Sequence, residues 1–234
     1  MALIFDIETI GENFDELDET TQSVLTRWIK KEAKDGGEYE VALKDLKEGL
    51  GFSPLTGEIV AVGVLDSETK TGAVYFQALG EKHEFEEEGI KYRSMGEKEM
   101  LEKFWELANK YQEFVSFNGR GFDGPYLFIR SAAHLIRPTR DLMSNRYLSS
   151  QRFNAKHVDL LDQLSFYGAS QRKGNLHLYC RAFGIESPKT GGVQGDDVAR
   201  LFKEKSYVDI ARYNRRDLFA TLGVYDHWKR FLEF

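Results

Sequence analysis

Three acidic clusters, far apart in the chain, carry the residues best suited to chemistry. Asp6 and Glu8 lie near the start, Asp123 lies mid-chain, and Tyr213 precedes Asp217 by four residues near the end. Together they supply four carboxylates and one phenol. Hard divalent cations prefer oxygen ligands, and two such ions can activate a water and stabilise a leaving oxygen. The clusters therefore predict a metal site that hydrolyses phosphodiester bonds.

The first and third clusters lie in segments whose expected local structure suits a shared site. The apolar run at the start predicts a strand from Leu3 to Thr9. Residues two apart on a strand share a face, so Asp6 and Glu8 project side by side while Ile7 turns toward the core. Tyr213 and Asp217, four apart in a helical stretch, share a helix face in the same way.

The second cluster lies at the junction between a strand and a helix. A strand is predicted at Phe114–Phe117 and a helix from Gly124 to Leu135. Pro125 fits the first turn of that helix, and Asp123 suits its N-cap. A strand end, a helix start and a helix face can therefore meet at one end of a sheet.

Each cluster also has an ordinary structural explanation when it is taken alone. The acidic pair on the first strand is typical of a solvated face, Asp123 of a helix cap, and the tyrosine and aspartate of a helix surface. Their joint occurrence in this order, each in suitable local structure, favours a shared metal site.

With these motifs, the chain resembles the DEDD superfamily of 3′–5′ exonucleases. Phe5–Thr9, Asn118–Asp123 and Tyr213–Asp217 are similar to its three motifs, and the tyrosine four residues before the last aspartate is typical of its tyrosine branch. The resemblance extends from Met1 to about Tyr225 and is strongest to stand-alone relatives of the family B DNA polymerase proofreading domain. It implies an α/β, ribonuclease-H-like mixed sheet with an antiparallel N-terminal hairpin region, flanked by helices. We expect one domain over 1–234, with a helical insertion at about 11–51.

The resemblance also implies roles for the acidic residues. Asp6 would bridge two ions, Glu8 and Asp217 would hold the ion that carries the attacking water, and Asp123 would hold the second ion. Tyr213 is expected to orient the water, because a phenol with an ordinary pKa of about 10 is a poor base at neutral pH. Sites with few carboxylates and several waters suit Mg²⁺ or Mn²⁺.

Five further residues are candidates for binding the substrate. The resemblance suggests that Thr9 and Ile10 touch the last sugar or base at the 3′ end. Asn118 can bond a phosphate or sugar, and Phe122 can stack on a base or serve as a core residue at the base of the loop. Lys189 begins a glycine-rich stretch that lacks a P-loop ending, and it can contact a phosphate if that stretch lies near the substrate.

Charge is unevenly distributed along the chain, which has a net charge of −6. Residues 1–119 carry 13 Lys and Arg against 26 Asp and Glu, whereas residues 120–216 carry 17 against 9. The second region can form a basic rim for phosphates, although ordinary charged helix surfaces would give the same composition.

The one cysteine, Cys180, is expected in the core. No leader and no apolar run long enough to cross a membrane is visible, so a cytoplasmic protein is expected.

Several other elements follow from the pattern of apolar and turn residues. Glu58–Leu65 and Ala73–Leu79 predict an antiparallel pair of strands, and acidic Lys82–Lys91 predicts a loop. Ser94 and Glu97 suggest a capping box before a helix to about Tyr111. Further helices are expected around Trp28 and at Asn175–Phe183, Asp196–Glu204 and Ser206–Leu232, the last broken or double. The helix around Trp28 is expected to pack on the domain, or alternatively to cover the site or bind a protein partner.

These features predict a metal-dependent 3′–5′ exonuclease that releases nucleoside 5′-monophosphates from single-stranded nucleic acid. DNA is favoured, but the sequence shows no residue that would read a 2′-hydroxyl. An oligoribonuclease-type enzyme and a non-catalytic binding module therefore remain as alternatives.

His157 and Asp159 are expected to be structural, with Asp159 capping the following helix. The oligomeric state and the pathway are left open.

Overall fold

A central mixed sheet organises the protein in the computed structural model, which describes residues 1–191 and 195–233. The strands are β1 (Leu3–Gly11), β2 (Gly57–Asp66), β3 (Gly72–Phe76), β4 (Glu84–Glu87), β5 (Ile90–Ser94), β6 (Glu113–Ser116) and β7 (Lys156–Asp159). The helices are α1 (Glu19–Glu32), α2 (Gly36–Gly49), α3 (Glu97–Ala108), α4 (Asp123–Ala133), α5 (Leu160–Leu164), α6 (Leu176–Phe183), α7 (Val198–Lys203) and α8 (Tyr207–Phe231).

The seven strands lie in the order β4-β5-β3-β2-β1-β6-β7. β1, β2 and β3 form the predicted antiparallel region, and β6 and β7 continue the sheet in parallel with β1. The register of β1 against β2 shifts between Glu8 and Thr9. Such an irregularity bends a strand and redirects the side chains that follow it, so Thr9 and Ile10 leave the regular alternation directly after the acidic pair.

Helices cover both faces of the sheet because the apolar residues of β1 alternate between them. Leu3, Phe5 and Ile7 pack in the core that includes α3 and α4. Ile4, one residue out of phase, packs in the core that includes α8. Asp6 and Glu8 share the face of Ile4 by the same two-residue period, so both carboxylates point toward α8.

The acidic segment predicted as a loop at Lys82–Lys91 contains strand β4 and the start of β5, so that prediction was wrong. β5 pairs in parallel with β3, and β4 completes the edge against it. Phe85 stacks on the buried ring of Tyr92 with centroids 4.6 Å apart. The alternation of these apolar residues, rather than the charge between them, decides the local structure.

The predicted capping box of α3 is also absent. Gly96 is the N-cap, and the buried Glu97 carboxylate instead accepts the backbone N–H of Ile59 and pairs with Arg130. Ser94 belongs to β5. Glu97 therefore fixes α3 to β2 and α4, because a buried carboxylate requires partners that a solvated cap would not supply.

The C-terminal helix and the segment 11–51 also differ in detail from expectation. α8 is one continuous helix of 25 residues, not a broken or double one. Two helices, α1 and α2, occupy the segment expected to be a helical insertion. Trp28 on α1 is 47% exposed, whereas its neighbour Ile29 is buried. Cys180 is buried as expected.

Candidate active site

The acidic pair of β1 meets the third predicted cluster at one place. One carboxylate oxygen each from Asp6, Glu8 and Asp217 can be chosen so that all three lie within 4.8 Å of one another. Ile7, between the pair, is 4% exposed in the opposite core, as the strand pattern predicts. Three carboxylates at this separation are a suitable ligand set for a hard divalent cation.

An unsatisfied oxygen supports the same assignment. Glu8 Oε1 is buried and has no hydrogen-bond partner among the described residues. A buried carboxylate oxygen without a partner is costly, and a cation between the three carboxylates would remove that cost. The residues present therefore fit a bound divalent ion.

Asp123 lies beside this cluster but not within it. Asp123 was predicted to be the N-cap of α4, but it is the first residue of the helix. Phe122 is the N-cap, and its side chain makes no capping hydrogen bond. Asp123 Oδ1 accepts the backbone N–H of Ile7 over 3.0 Å. That bond explains the difference, because the carboxylate turns to β1 instead of back to its own helix. The structure thus brings three acids into one group and sets the fourth against the same strand.

Burial raises the pKa of all four acids, and repulsion from neighbouring acids raises it further for Asp6, Glu8 and Asp123. Burial is the largest cause for Asp6, followed by the charge of Asp123, and burial followed by the charge of Asp217 raises the pKa of Glu8. Burial also raises the pKa of Asp123 and Asp217 to about 7. Ionising several buried carboxylates next to one another is unfavourable. A bound dication would stabilise their charged forms.

Tyr213 faces the same cluster from α8 and is only 8% exposed. Burial first, and then the charges of Asp217 and Glu8, raise the pKa of its phenol. A phenol with a raised pKa keeps its proton at neutral pH, which favours a role as hydrogen-bond donor over one as general base. The burial and the raised pKa of Tyr213 are compatible with the expected role of its phenol in orienting a water.

Asn214 is a contributor that sequence reasoning missed. It is fully buried, and its Nδ2 donates to Asp6 Oδ2 over 2.8 Å. A hydrogen bond from Asn214 also acts against the burial and repulsion that raise the pKa of Glu8. Its position three residues before Asp217 places both on one helix face, which is the signal that was available in the sequence.

The close approach of α8 to β2 depends on Gly63. A Cβ at this position would lie 1.9 Å from Asn214 Oδ1 and 2.7 Å from Leu218 Cδ1. Any side chain there would push the helix away from the sheet. Gly63 therefore allows Asn214 to reach across to Asp6.

A cleft of about 700 Å³ opens beside Glu8. Three predicted substrate residues, Thr9, Ile10 and Phe122, line it. The other wall comes from the segment 11–51 and from Phe52, which directly follows it, is 69% exposed and was not predicted from the sequence. Thr9 Oγ1 donates to the carbonyl oxygen of Gly51 over 2.7 Å and ties the two walls together. The remaining lining residues are Ile7, Glu8, Gly11, Asp45, Glu48, Gly49, Gly51, Gly195, Ala199 and Arg200.

The other two predicted substrate residues do not line this cleft. Asn118 is exposed with φ of 63°, and its backbone N–H donates to Asp159 Oδ1. Lys189 is exposed, and its charge opposes the burial that raises the pKa of Asp217. Lys189 is therefore near the acidic cluster, while residues 192–194 of its glycine-rich stretch lie outside the described residues.

His157 and Asp159 have structural surroundings, as expected. The buried His157 imidazole is hydrogen-bonded to Ser116 Oγ and to the Leu142 carbonyl oxygen. Burial lowers its pKa to about 4. Asp159 caps α5 and also accepts the backbone N–H groups of Asn118 and Arg120. It thereby shapes the loop that delivers Asp123.

Part of the positive charge between residues 120 and 216 is already paired. Five arginines in this range, Arg130, Arg146, Arg200, Arg212 and Arg215, each form an ion pair with Asp or Glu. The excess of basic residues in this range therefore overstates the positive surface that is open to phosphates.

Comparison with known protein families gives a match over most of the chain. A family described as "Predicted 3′-5′ exonuclease related to the exonuclease domain of PolB" matches residues 58–232. This range contains Asp123, Tyr213 and Asp217 but not the acidic pair on β1. A search of curated proteins finds no match.

A solved structure shares the fold. The family B DNA polymerase from the hyperthermophilic archaeon Pyrobaculum calidifontis matches 99% of this chain with a TM-score of 0.57 and 17% identity. The chain spans 25% of that polymerase's length. At this identity the match shows the fold alone, and it confirms the expected ribonuclease-H-like mixed sheet.

Within the part of the chain that the structure describes, no helix is long and apolar enough to cross a membrane.

Proposed function

The chain belongs to the family of predicted 3′–5′ exonucleases related to the exonuclease domain of PolB, and from this membership we propose a metal-dependent exonuclease that acts on single-stranded nucleic acid. DNA is the proposed substrate, and nucleoside 5′-monophosphates are the proposed products. One observation carries the proposal. The carboxylate oxygens of Asp6, Glu8 and Asp217 meet within 4.8 Å beside a cleft of about 700 Å³.

Two divalent ions, Mg²⁺ or Mn²⁺, form part of the proposal. Asp6, Glu8 and Asp217 would hold one ion, and Asp6 with Asp123 the other. Such ions, when bound, supply charge neutralisation and activation of the attacking water. The protein's own groups position the reactants: Asn214 fixes the Asp6 carboxylate, and the protonated phenol of Tyr213 donates a hydrogen bond to the water or to a phosphate oxygen.

The cleft suits the last nucleotide of a strand. Phe52 and Phe122 both line it, and aromatic rings bind bases with little sequence preference by stacking. Thr9 and Ile10 form the floor that follows the acidic pair. We propose that the terminal base lies between these side chains, with its 5′ phosphate directed toward the carboxylates.

The far wall of the cleft carries negative charge. Asp45 and Glu48 of α2 line it, and Glu48 also forms an exposed pair with Lys44 over 3.8 Å. Arg200, the basic residue among the described lining residues, pairs with Asp197 and Glu204. A phosphate on the 3′ end would meet repulsion there. The proposed enzyme therefore takes strands that end in a 3′-hydroxyl in preference to a 3′-phosphate.

One set of substrates tests the proposal. Matched single strands of DNA and RNA, labelled at the 5′ end, are incubated with Mg²⁺ or with Mn²⁺. We expect DNA to shorten stepwise from the 3′ end, a 3′-phosphorylated strand to resist, and a closed circular strand to stay intact. Faster degradation of RNA would assign the oligoribonuclease-type alternative. Cleavage of the circle would contradict an exonuclease, and binding without cleavage would support a non-catalytic module.

A further inference from the structure

A second pocket, of about 500 Å³, lies along α8. Its walls include Arg215, Arg216 and Phe219 from α8, and Ser187 and Pro188 from the segment before α7. It shares no lining residue with the cleft beside Glu8. The remaining lining residues are Glu88, Ile185, Glu186 and Ala220.

Arg216 brings unused hydrogen-bond donors to this pocket. Its Nε donates to the carbonyl oxygen of Pro188 over 3.3 Å, and its Nη2 is buried without a partner among the described residues. The guanidinium carbon lies 5.6 Å from the centre of the Tyr213 ring. The described residues leave this buried Nη2 without an acceptor, and an anion in the pocket would supply one.

Arg215 adds a second guanidinium with the same property. Its carbon lies 4.9 Å from the centre of the Phe219 ring, which fixes its plane. Its Nη2 pairs with the Glu88 carboxylate, and its Nε is buried without a partner among the described residues. The pocket therefore holds two guanidinium groups, each with an N–H that the described residues leave unpaired, and guanidinium groups are well suited to bind phosphate oxygens.

Glu88 is the acid that now pairs with Arg215, and its backbone is unusual. It forms the two-residue turn between β4 and β5 together with Gly89, and both have positive φ, 48° and 78°. Such a turn favours Asn-Gly, and a non-glycine residue with positive φ is strained there. The Glu88 side chain is nevertheless 73% exposed. Its carboxylate is therefore close enough to pair with Arg215 and free enough to leave.

We propose that Arg215 and Arg216 form a binding site for a phosphate ester, and that the Glu88 carboxylate occupies part of this site until a phosphate displaces it. The ligand is a phosphate group of a nucleic-acid strand or of a free nucleotide, which present the same oxygens to the two guanidinium groups. The inference concerns binding and does not depend on the proposed nuclease activity.

Binding in the presence of EDTA tests the proposal without cleavage and without metal. The probes are inorganic phosphate, deoxythymidine 5′-monophosphate and an oligonucleotide of about eight thymidines, each followed by titration calorimetry. We expect Arg216→Gln to weaken the binding of every bound probe by roughly 10-fold or more. The matched control is Arg212→Gln, which removes the same charge from an exposed position on α8 that pairs with Glu87. It should change affinity by less than about 2-fold.

A second variant keeps the test decisive if Arg216→Gln does not fold. Glu88→Gln removes an exposed carboxylate and should tighten binding of the same probes by roughly 3-fold or more, because the anion no longer competes for Arg215. Oligonucleotide binding much tighter than nucleotide binding would identify the phosphate as part of a strand, and equal affinities would identify a free nucleotide. Equal losses in Arg212→Gln and Arg216→Gln, no effect of Glu88→Gln, or no binding of any probe would overturn the proposal.

Discussion

The side-chain amide of Asn214 donates a hydrogen bond to Asp6 Oδ2 over 2.8 Å and so joins helix α8 to strand β1 within the acidic cluster. Asn214 has no exposed surface. Because α8 also carries Asp217, this bond helps to hold the carboxylates of two separate elements together. It makes Asn214 a positioning residue for the proposed metal site.

The first prediction follows from that bond. Asn214→Ala should lower kcat by about 10- to 100-fold and raise the metal concentration needed for half-maximal activity, as loss of a residue that orients metal ligands does. The measurement is a titration of Mn²⁺ against initial rate. Arg212→Ala, on an exposed part of the same helix, should leave both quantities unchanged. An unchanged metal requirement in Asn214→Ala would contradict the positioning role.

A second prediction concerns the acids themselves. Asp6→Asn and Asp217→Asn should each lower the rate of hydrolysis by on the order of 10³-fold, because each removes charge from the proposed ligand set. Both should still fold, since repulsion within the cluster falls. Asp209→Asn, an exposed acid on α8, is the control and should retain full activity. Metal-dependent hydrolysis by a purified Asp6→Ala, Asp217→Ala double variant would show that the site is elsewhere.

The parts of the fold that could be predicted are those set by short-range periodicity. The two-residue period of β1 places Asp6 and Glu8 on one face, and the four-residue spacing places Tyr213 with Asp217. Both patterns depend only on local geometry. Asp123 was expected beside this cluster, but its hydrogen bond to Ile7 depends on how α4 packs against β1, which no local pattern determines.

The features that the sequence could not supply are those set by packing between distant segments. Phe52 lies in the cleft wall next to Gly51, whose carbonyl oxygen accepts hydrogen bonds from the distant Thr9 and Tyr126. The strands around Lys82–Lys91 form because the sheet offers β3 as a partner, which outweighs the acidic composition. Interactions across the sheet therefore decided these elements, as tertiary context commonly does for strands.

A third prediction concerns stability, pH and metal. Asp123 and Asp217 have folded-state pKa values of about 7, whereas unfolded aspartate ionises near about 4. The folded state holds protons that the unfolded state releases between these values. Their contribution to the free energy of unfolding is therefore present below about pH 4 and is lost as pH rises to about 7. The metal-free protein should lose at least about 4 °C of Tm between about pH 5 and pH 8.

Thermal denaturation in EDTA and in saturating Mg²⁺ checks this expectation. Metal should restore the Tm at about pH 8, because it binds the folded state alone. The Asp217→Asn variant isolates the effect, since its Tm in EDTA should fall less over the same pH range. Equal pH dependence in the two proteins would show that the site acids do not carry the effect.

The fourth prediction tests whether Phe52 contacts the substrate in the cleft. Phe52→Ala should raise KM for single-stranded DNA by about 5- to 100-fold, because a stacked base contributes about 1–3 kcal/mol. Leu55→Ala is a matched control, since Leu55 is 75% exposed in the same segment but does not line the cleft. The comparison requires initial rates over a range of strand concentrations. Equal values of KM in both variants would exclude Phe52 from the substrate site.

The final prediction tests whether the spacing between α8 and β2 controls the site. Gly63→Ala places a Cβ 1.9 Å from Asn214 Oδ1, so the helix must move or the amide must rotate away from Asp6. We expect a loss of about 1–3 kcal/mol in the free energy of unfolding and a rise in the metal requirement like that of Asn214→Ala. Gly36→Ala is the control, because a Cβ there meets nothing within 4 Å. If Gly63→Ala were destabilised but kept the ordinary metal requirement, Asp6 would not depend on the position of α8.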